Sequence, residues 1–348
     1  MPENLPSIGF SSLPSAIDSP SAIDSSKRLI YRDGCTRLFI VGSVFWGGVA
    51  SIVLTLSGVL LSMPGLFSNA NDELREYLTF ARLEAMKANL AIFAVGGNAV
   101  FAGVYYCLQR LCKVALWSRL LATIHFLSWQ VIVAALVASP MMGMVQGRSL
   151  SGGPWPIDIA IAVIWIGCFG LNCAMTIATR RERYLYVSLW FYLASIVTVS
   201  LLQVANCVAI PTDWKTNIPM LSGVQDAWMA NWYKQGLVSF LLTIPFAGLL
   251  YYFIPKAVDR PLFSYKLSIV HFWSLVLLSI CASTNQLHYT TIPEWASTLG
   301  MLCGVMLWMP SWAGLVNCLS TLSGSWDKIK RDPALRFMVT GLIVFGFT

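Results

Sequence analysis

Long apolar runs recur along this chain at near-regular intervals, and each is long enough to cross a bilayer. The spans are about 38–62, 88–108, 115–139, 157–178, 185–210, 234–254, 267–284 and 296–319. Each holds roughly 18 to 26 residues, against the ~20 that a hydrocarbon core of about 30 Å requires. Between them lie short polar or Pro/Gly-rich loops such as Ser149-Leu-Ser-Gly-Gly-Pro154. A ninth run opens near Phe337 and the sequence stops at Thr348. About twelve helical residues reach only about 18 Å, so the expectation is a last helix that ends part way across. Lipid leaves backbone polar groups no outside partner, which restricts spanning segments to helices or closed barrels. Runs of this length select helices. The expected fold is an all-α, polytopic transmembrane bundle of about eight full helices plus a partial ninth.

Composition agrees. The chain is 57% hydrophobic and 11% charged, where a soluble domain carries about 25% charged residues. One membrane domain over 27–348 is expected. Residues 1–26 are rich in Ser and Pro, with a short repeat, Ser15-Ala-Ile-Asp18 and Ser21-Ala-Ile-Asp24. They read as a disordered arm. No apolar stretch follows a basic one there, so the arm does not read as a signal peptide.

The net charge of +7 invites a nucleic-acid reading, which its distribution removes. With the N-terminus cytoplasmic, inside segments hold Lys27, Arg28, Arg32, Arg37, Arg110, Lys113, Arg119, Arg180, Arg181, Arg183, Lys256, Arg260, Lys266, Lys328, Lys330, Arg331 and Arg336. Outside loops hold only Arg75, Arg82, Arg148 and Lys215, and Lys87 and Lys234 fall at the expected helix starts. That is the positive-inside pattern. The partner is the lipid bilayer, not nucleic acid. The nine cysteines form no CxxC pair, so neither a zinc site nor a disulfide framework is indicated.

Particular strings go further. They are Tyr77-Leu-Thr-Phe-Ala-Arg-Leu83, Ile92-Phe-Ala-Val-Gly-Gly-Asn98, Trp155-Pro-Ile-Asp158, Arg180-Arg-Glu-Arg183 and Gly223-Val-Gln-Asp226. Tyr251-Tyr-Phe-Ile-Pro-Lys256, Ser268-Ile-Val-His-Phe-Trp273, Leu307-Trp-Met-Pro-Ser-Trp312 and Leu322-Ser-Gly-Ser-Trp-Asp-Lys328 follow in order. Over about 38–348 the chain resembles subunit I of the cbb3-type cytochrome c oxidases, a branch of the haem-copper oxidase superfamily. That subunit has twelve helices, so this chain resembles its first two-thirds. The resemblance implies a bacterial inner-membrane protein, other respiratory oxidase subunits as partners, and transfer of electrons from cytochrome c to O2 with proton pumping.

The family's chemistry uses haem b, haem b3 and a copper termed CuB, held by six histidines. This chain has three, His125, His271 and His288. The position matching the low-spin haem ligand of the second helix is Lys87. The CuB positions match Gln235, Asn285 and Gln286, and the family's covalently linked tyrosine matches Ser279. His271 and His288 match histidines that do not ligate metal, and His125 matches no ligand. Amides bind copper and haem iron poorly compared with imidazole, so no catalytic residue, no metal ligand and no cofactor are expected of this chain. Tyr251, Ser268 and His271 match polar residues on the family's proton-uptake path. Lys234, beside a copper position, either pairs with a carboxylate such as Asp226 inside a vacated cavity or is solvated at the outer interface. Three readings are open: a redox-inactive subunit I homologue, an active terminal-oxidase subunit, and a repurposed structural or small-ligand-binding membrane module.

Overall fold

The structure is a computed structural model that describes residues 31–65, 77, 79–144, 150–213 and 216–347. The arm 1–26, with Lys27, Arg28, Arg75, Arg148, Lys215 and the side chains of Ser283 and Asn285, lies outside the described residues.

Among the described residues, seven helices are long and apolar enough to span a membrane: α1 (Gly34–Ser62), α2 (Phe80–Cys112), α3 (Arg119–Met141), α4 (Trp155–Ala178), α5 (Val187–Asn206), α6 (Val224–Val258) and α8 (Glu294–Leu322). Two shorter apolar helices accompany them, α7 (Tyr265–Cys281) and, after the six-residue α9 (Trp326–Arg331), α10 (Pro333–Phe347). α7 continues as a 3-10 turn over Ala282–Leu287. The bundle is therefore all-α and multi-pass, as expected. The central helices are α2 and α6, with 61% and 56% of their apolar windows buried, whereas α1 has 17% buried. α1 presents Val41, Val44, Phe45 and Ile52 outward, the surface that lipid covers.

Several boundaries differ from the sequence reading, each for a local reason. α2 and α6 begin 8 and 10 residues before the expected 88 and 234, because their first turns carry polar side chains that hydropathy discounts. Lys87 and Lys234 are consequently inside helices, not at their starts. α5 stops at Asn206, and Ala209–Pro211 pairs antiparallel with Asn217–Pro219 as β1 and β2. Thr212 closes that hairpin on the Thr216 carbonyl, and Pro211 cannot extend a helix because it lacks the donor. α8 breaks at Leu307 between Glu294–Met306 and Trp308–Leu322. Pro310 accounts for that break, since it lacks the N–H that would bond to the Met306 carbonyl.

The bundle contains the same four-helix unit twice, α1–α4 and α5–α8. Tyr105 donates to or accepts from His125 Nδ1 at 3.0 Å, and Tyr251 does the same with His271 Nδ1 at 2.8 Å, each pair 20 residues apart. Ser118 caps α3 through the Leu121 N–H, and Ser264 caps α7 through the Leu267 N–H. Asn172 grips both backbone groups of Ser118, accepting at 3.2 Å and donating at 3.1 Å, and Asn317 grips Ser264 at 3.0 Å for both. Thr176 accepts from the Trp117 N–H, and Thr321 from the Phe263 N–H, both at 3.1 Å. Phe39 packs on Tyr105, His125 and Phe126; Phe191 packs on Tyr251, His271 and Phe272. The two α-helix exits, Lys113 and Asp259, both take left-handed backbone, at φ 50° and 55°.

Candidate functional site

Three sets of residues were singled out by sequence. Near the start of α2, Lys87 sits one turn after Glu84, and its ammonium lies 2.5 Å from that carboxylate. Ser57 of α1 donates to the same Glu84 oxygen at 3.5 Å. Lys87 is thus an ion-paired, half-exposed cation, with its three N–H groups committed to donating and no lone pair to offer a metal. Glu84 escaped the sequence reading, although its i,i+3 spacing from Lys87 is the ordinary signature of such a pair. Two residues on, Asn89 is buried and ties α2 to its neighbours by donating to the Leu136 and Ser151 carbonyls at 3.1 and 2.7 Å.

The second group gathers where the first half of α6 meets the end of α7. Gln286 Nε2 donates to Gln235 Oε1 at 3.2 Å. Two of the three positions matched to copper ligands therefore do converge, and they satisfy each other as an amide pair. Asn285 belongs to the same 3-10 turn, with its side chain outside the described residues. Thr284 anchors that turn to α8 through the Ala296 carbonyl at 2.8 Å. His288 turns to Ser297 of α8. Ser279 is buried on α7. Lys234 and Asp226 both lie on α6 and are both partly exposed. Among the described residues no group of three or more His, Cys, Asp and Glu side chains is arranged to hold a metal ion.

The third set, Tyr251, Ser268 and His271, is brought together between α6, α7 and α8 of the second unit. All three are nearly or fully buried. Asn317 donates to Ser268 Oγ at 2.8 Å, and Ser268 donates to the Ser264 carbonyl at 3.2 Å. Tyr186 donates to the Tyr251 carbonyl at 2.9 Å. The His271 Nε2 atom is buried and finds no partner among the described residues. Its ring lies over Gly314, where an added Cβ would sit 2.6 Å from Cε1. Asn317 was not foreseen, though the repeated Asn-Cys-x-x-Thr at 172–176 and 317–321 marks it.

Residues 35–348 match the family described as cytochrome c and quinol oxidase polypeptide I. The chain belongs to that family. It is 40% identical over 321 residues to cytochrome c oxidase subunit 1 of Rhodobacter capsulatus, covering 91% of this chain and 60% of that protein. It is 38% identical over 329 residues to a cytochrome c oxidase subunit 1 homolog of Agrobacterium tumefaciens (94% and 60%). To a Cbb3-type cytochrome c oxidase subunit of Stutzerimonas stutzeri it is 38% identical over 326 residues (94% and 68%). The chain spans about 60% of the length of the first two relatives. The oxidase family thus accounts for the multi-pass helical fold and for the order of the strings that suggested it.

Proposed function

We propose that this chain is a redox-inactive homologue of the cbb3-type oxidase catalytic subunit, a membrane module that keeps the scaffold and lacks the haem and copper centres. The observation that carries the reading is the Gln235–Gln286 amide pair. Copper coordination needs neutral imidazole or comparable donors; two carboxamides that satisfy each other offer weak oxygen donors and no nitrogen lone pair. The Lys87–Glu84 ion pair supports the same conclusion at the position matched to the low-spin haem ligand. Breaking that pair to free a lysine lone pair would strand Glu84 beside a neutral amine. The residues at these positions therefore do not fit CuB or the low-spin haem b, and no electron-transfer step is assigned to them.

The remaining placement follows from charge. The basic loops sit at one end of the bundle, where Arg110, Lys113 and Lys328 pair with Asp33, Glu182 and Asp259. This end faces the cytoplasm of a bacterial inner membrane, with the N-terminal arm on that side and 27–348 forming one domain. The polar residues Tyr251, Ser268 and His271 hold α6, α7 and α8 together; without a reducible centre they carry no driven proton. The partners are the bilayer and other subunits of a respiratory assembly. Oxygen uptake by membranes supplied with reduced cytochrome c tests the reading. Expression of this chain in a strain without terminal oxidases is expected to leave uptake at background; cyanide-sensitive uptake that appears with the chain would refute it.

A further inference from the structure

At the inner end of the bundle the two repeat units meet through a pair of corresponding tyrosines, Tyr106 of α2 and Tyr252 of α6. Their rings are 6.3 Å apart and nearly perpendicular. The Lys256 ammonium donates to both hydroxyls, to Tyr252 at 3.2 Å and to Tyr106 at 3.3 Å. Each hydroxyl accepts from the lysine, so each keeps its own O–H proton for another acceptor. Among the described residues none takes it. The ammonium retains a third N–H, and no carboxylate lies within ion-pair reach of it among the described residues.

The first unit shows what would ordinarily balance such a cation. Arg110 corresponds to Lys256, stacks on the Tyr106 ring at 3.5 Å, and is held by Asp33 through two bonds of 3.1 and 3.0 Å. The segment leading into α5 offers Leu185 and Tyr186 where the first unit has Asp33. The second unit thus lacks the carboxylate and keeps the cation. Phe253 stacks on the Tyr106 ring, 5.8 Å between centroids.

We infer that Lys256, Tyr106 and Tyr252 form a binding site for the phosphate group of an anionic phospholipid. Three donors converge there, one of them charged. A phosphodiester supplies two unesterified oxygens that together accept three such bonds. The site lies two residues before the end of α6, at the depth where lipid headgroups meet a helix bundle and where basic side chains attract anionic lipid. The neighbouring Arg110 adds to the field without being consumed, because Asp33 already pairs it.

Native mass spectrometry of the full chain released from detergent, titrated with phosphatidylglycerol or phosphatidylcholine, reads the site directly. Phosphatidylglycerol is expected to be retained about tenfold more strongly than phosphatidylcholine, and Lys256→Met to abolish that preference. The double variant Tyr106→Phe/Tyr252→Phe leaves charge and packing in place and is expected to weaken retention about tenfold through two lost hydrogen bonds. It decides the matter if Lys256→Met fails to fold. Lys266→Met, another basic change at the same end, is expected to change nothing. Equal retention by wild type and the double phenylalanine variant would overturn the proposal. Titration with inorganic phosphate separates the sources: phosphate that binds at millimolar concentration and displaces the lipid would also overturn it, in favour of a free-phosphate site.

Discussion

The two four-helix units share a skeleton and differ in what they wrap around the histidine. In α1–α4, His125 is enclosed by rings: Phe101 at 4.4 Å, Phe39 at 5.0 Å, Phe169 at 5.5 Å and Trp129 at 6.2 Å between centroids. The second unit replaces three of these four. Ala247, Leu275 and Gly314 stand where the first has Phe101, Trp129 and Phe169, and Ser268 stands where it has Ala122. The caps, the asparagine clamps and the tyrosine–histidine bonds are unchanged. A dry aromatic plug and a polar column are thus two fillings of one frame, set by four side chains. The frame is what the bundle needs to fold in lipid, since those clamps satisfy loop backbone at the membrane boundary. The filling is where a family can place or withdraw chemistry without rebuilding the helices.

Substitutions that convert one filling toward the other test this comparison. The largest effect is expected for Phe169→Ala, which opens a cavity among four aromatic neighbours and should lower unfolding free energy by about 3 kcal/mol, read by chemical unfolding in mixed micelles. Asn317→Ala and Asn172→Ala come next. Each frees two backbone groups and should cost about 2 kcal/mol, with Asn317 the costlier because it also releases Ser268; a negligible cost at either would break the equivalence of the clamps. Gly314→Ala should cost about 1–2 kcal/mol by pushing the His271 ring off its glycine bed, whereas Phe169→Tyr in the other unit should strand a hydroxyl among rings. The 15N shifts of His271 should move in Gly314→Ala and stay fixed in Phe169→Ala.

The smallest effect concerns the carboxylate, Asp33, that the second unit lacks. The Arg110 guanidinium beside Asp33 holds that carboxyl below the usual carboxylate range, chiefly through its hydrogen bonds. A lowered folded value means the contribution is fully present above the unfolded value near 3.8 and is lost as pH falls through the folded one. Asp33 is about one-third exposed, so solvent screening limits the loss to roughly 0.5 kcal/mol. Asp33→Asn should erase the acid-side slope as pH falls below about 3.8, and a slope that persists would place it elsewhere.

Much of the scaffold was legible beforehand, because hydropathy at spanning length leaves few alternatives. The starts of α2 and α6 were not, since Arg82, Glu84 and Lys87, or Asp226 and Lys234, look like loop residues until a neighbour or interface accommodates them. The hairpin at 209–219 was lost inside an apolar run. The duplication was readable and went unread: Tyr105-Tyr106, Ser118, Leu121 and His125-Phe126 recur as Tyr251-Tyr252, Ser264, Leu267 and His271-Phe272. It hides because the residues that match are the capping and clamping ones, while the helix faces between them diverge. At the candidate site the amides Gln235, Asn285 and Gln286 were visible as single letters. That Gln235 and Gln286 bond to each other, and that Glu84 occupies Lys87, required the geometry.

The central claim is that the scaffold persists without its metal centres. Iron and copper analysis of the purified full chain, expressed with haem and copper supplied and paired with a pyridine haemochrome spectrum, tests it most directly. The account predicts well under 0.1 iron and 0.1 copper per polypeptide and no Soret absorbance, because amides and an ion-paired ammonium are poor ligands for either metal. One haem or one copper per chain, retained through size exclusion, would contradict it.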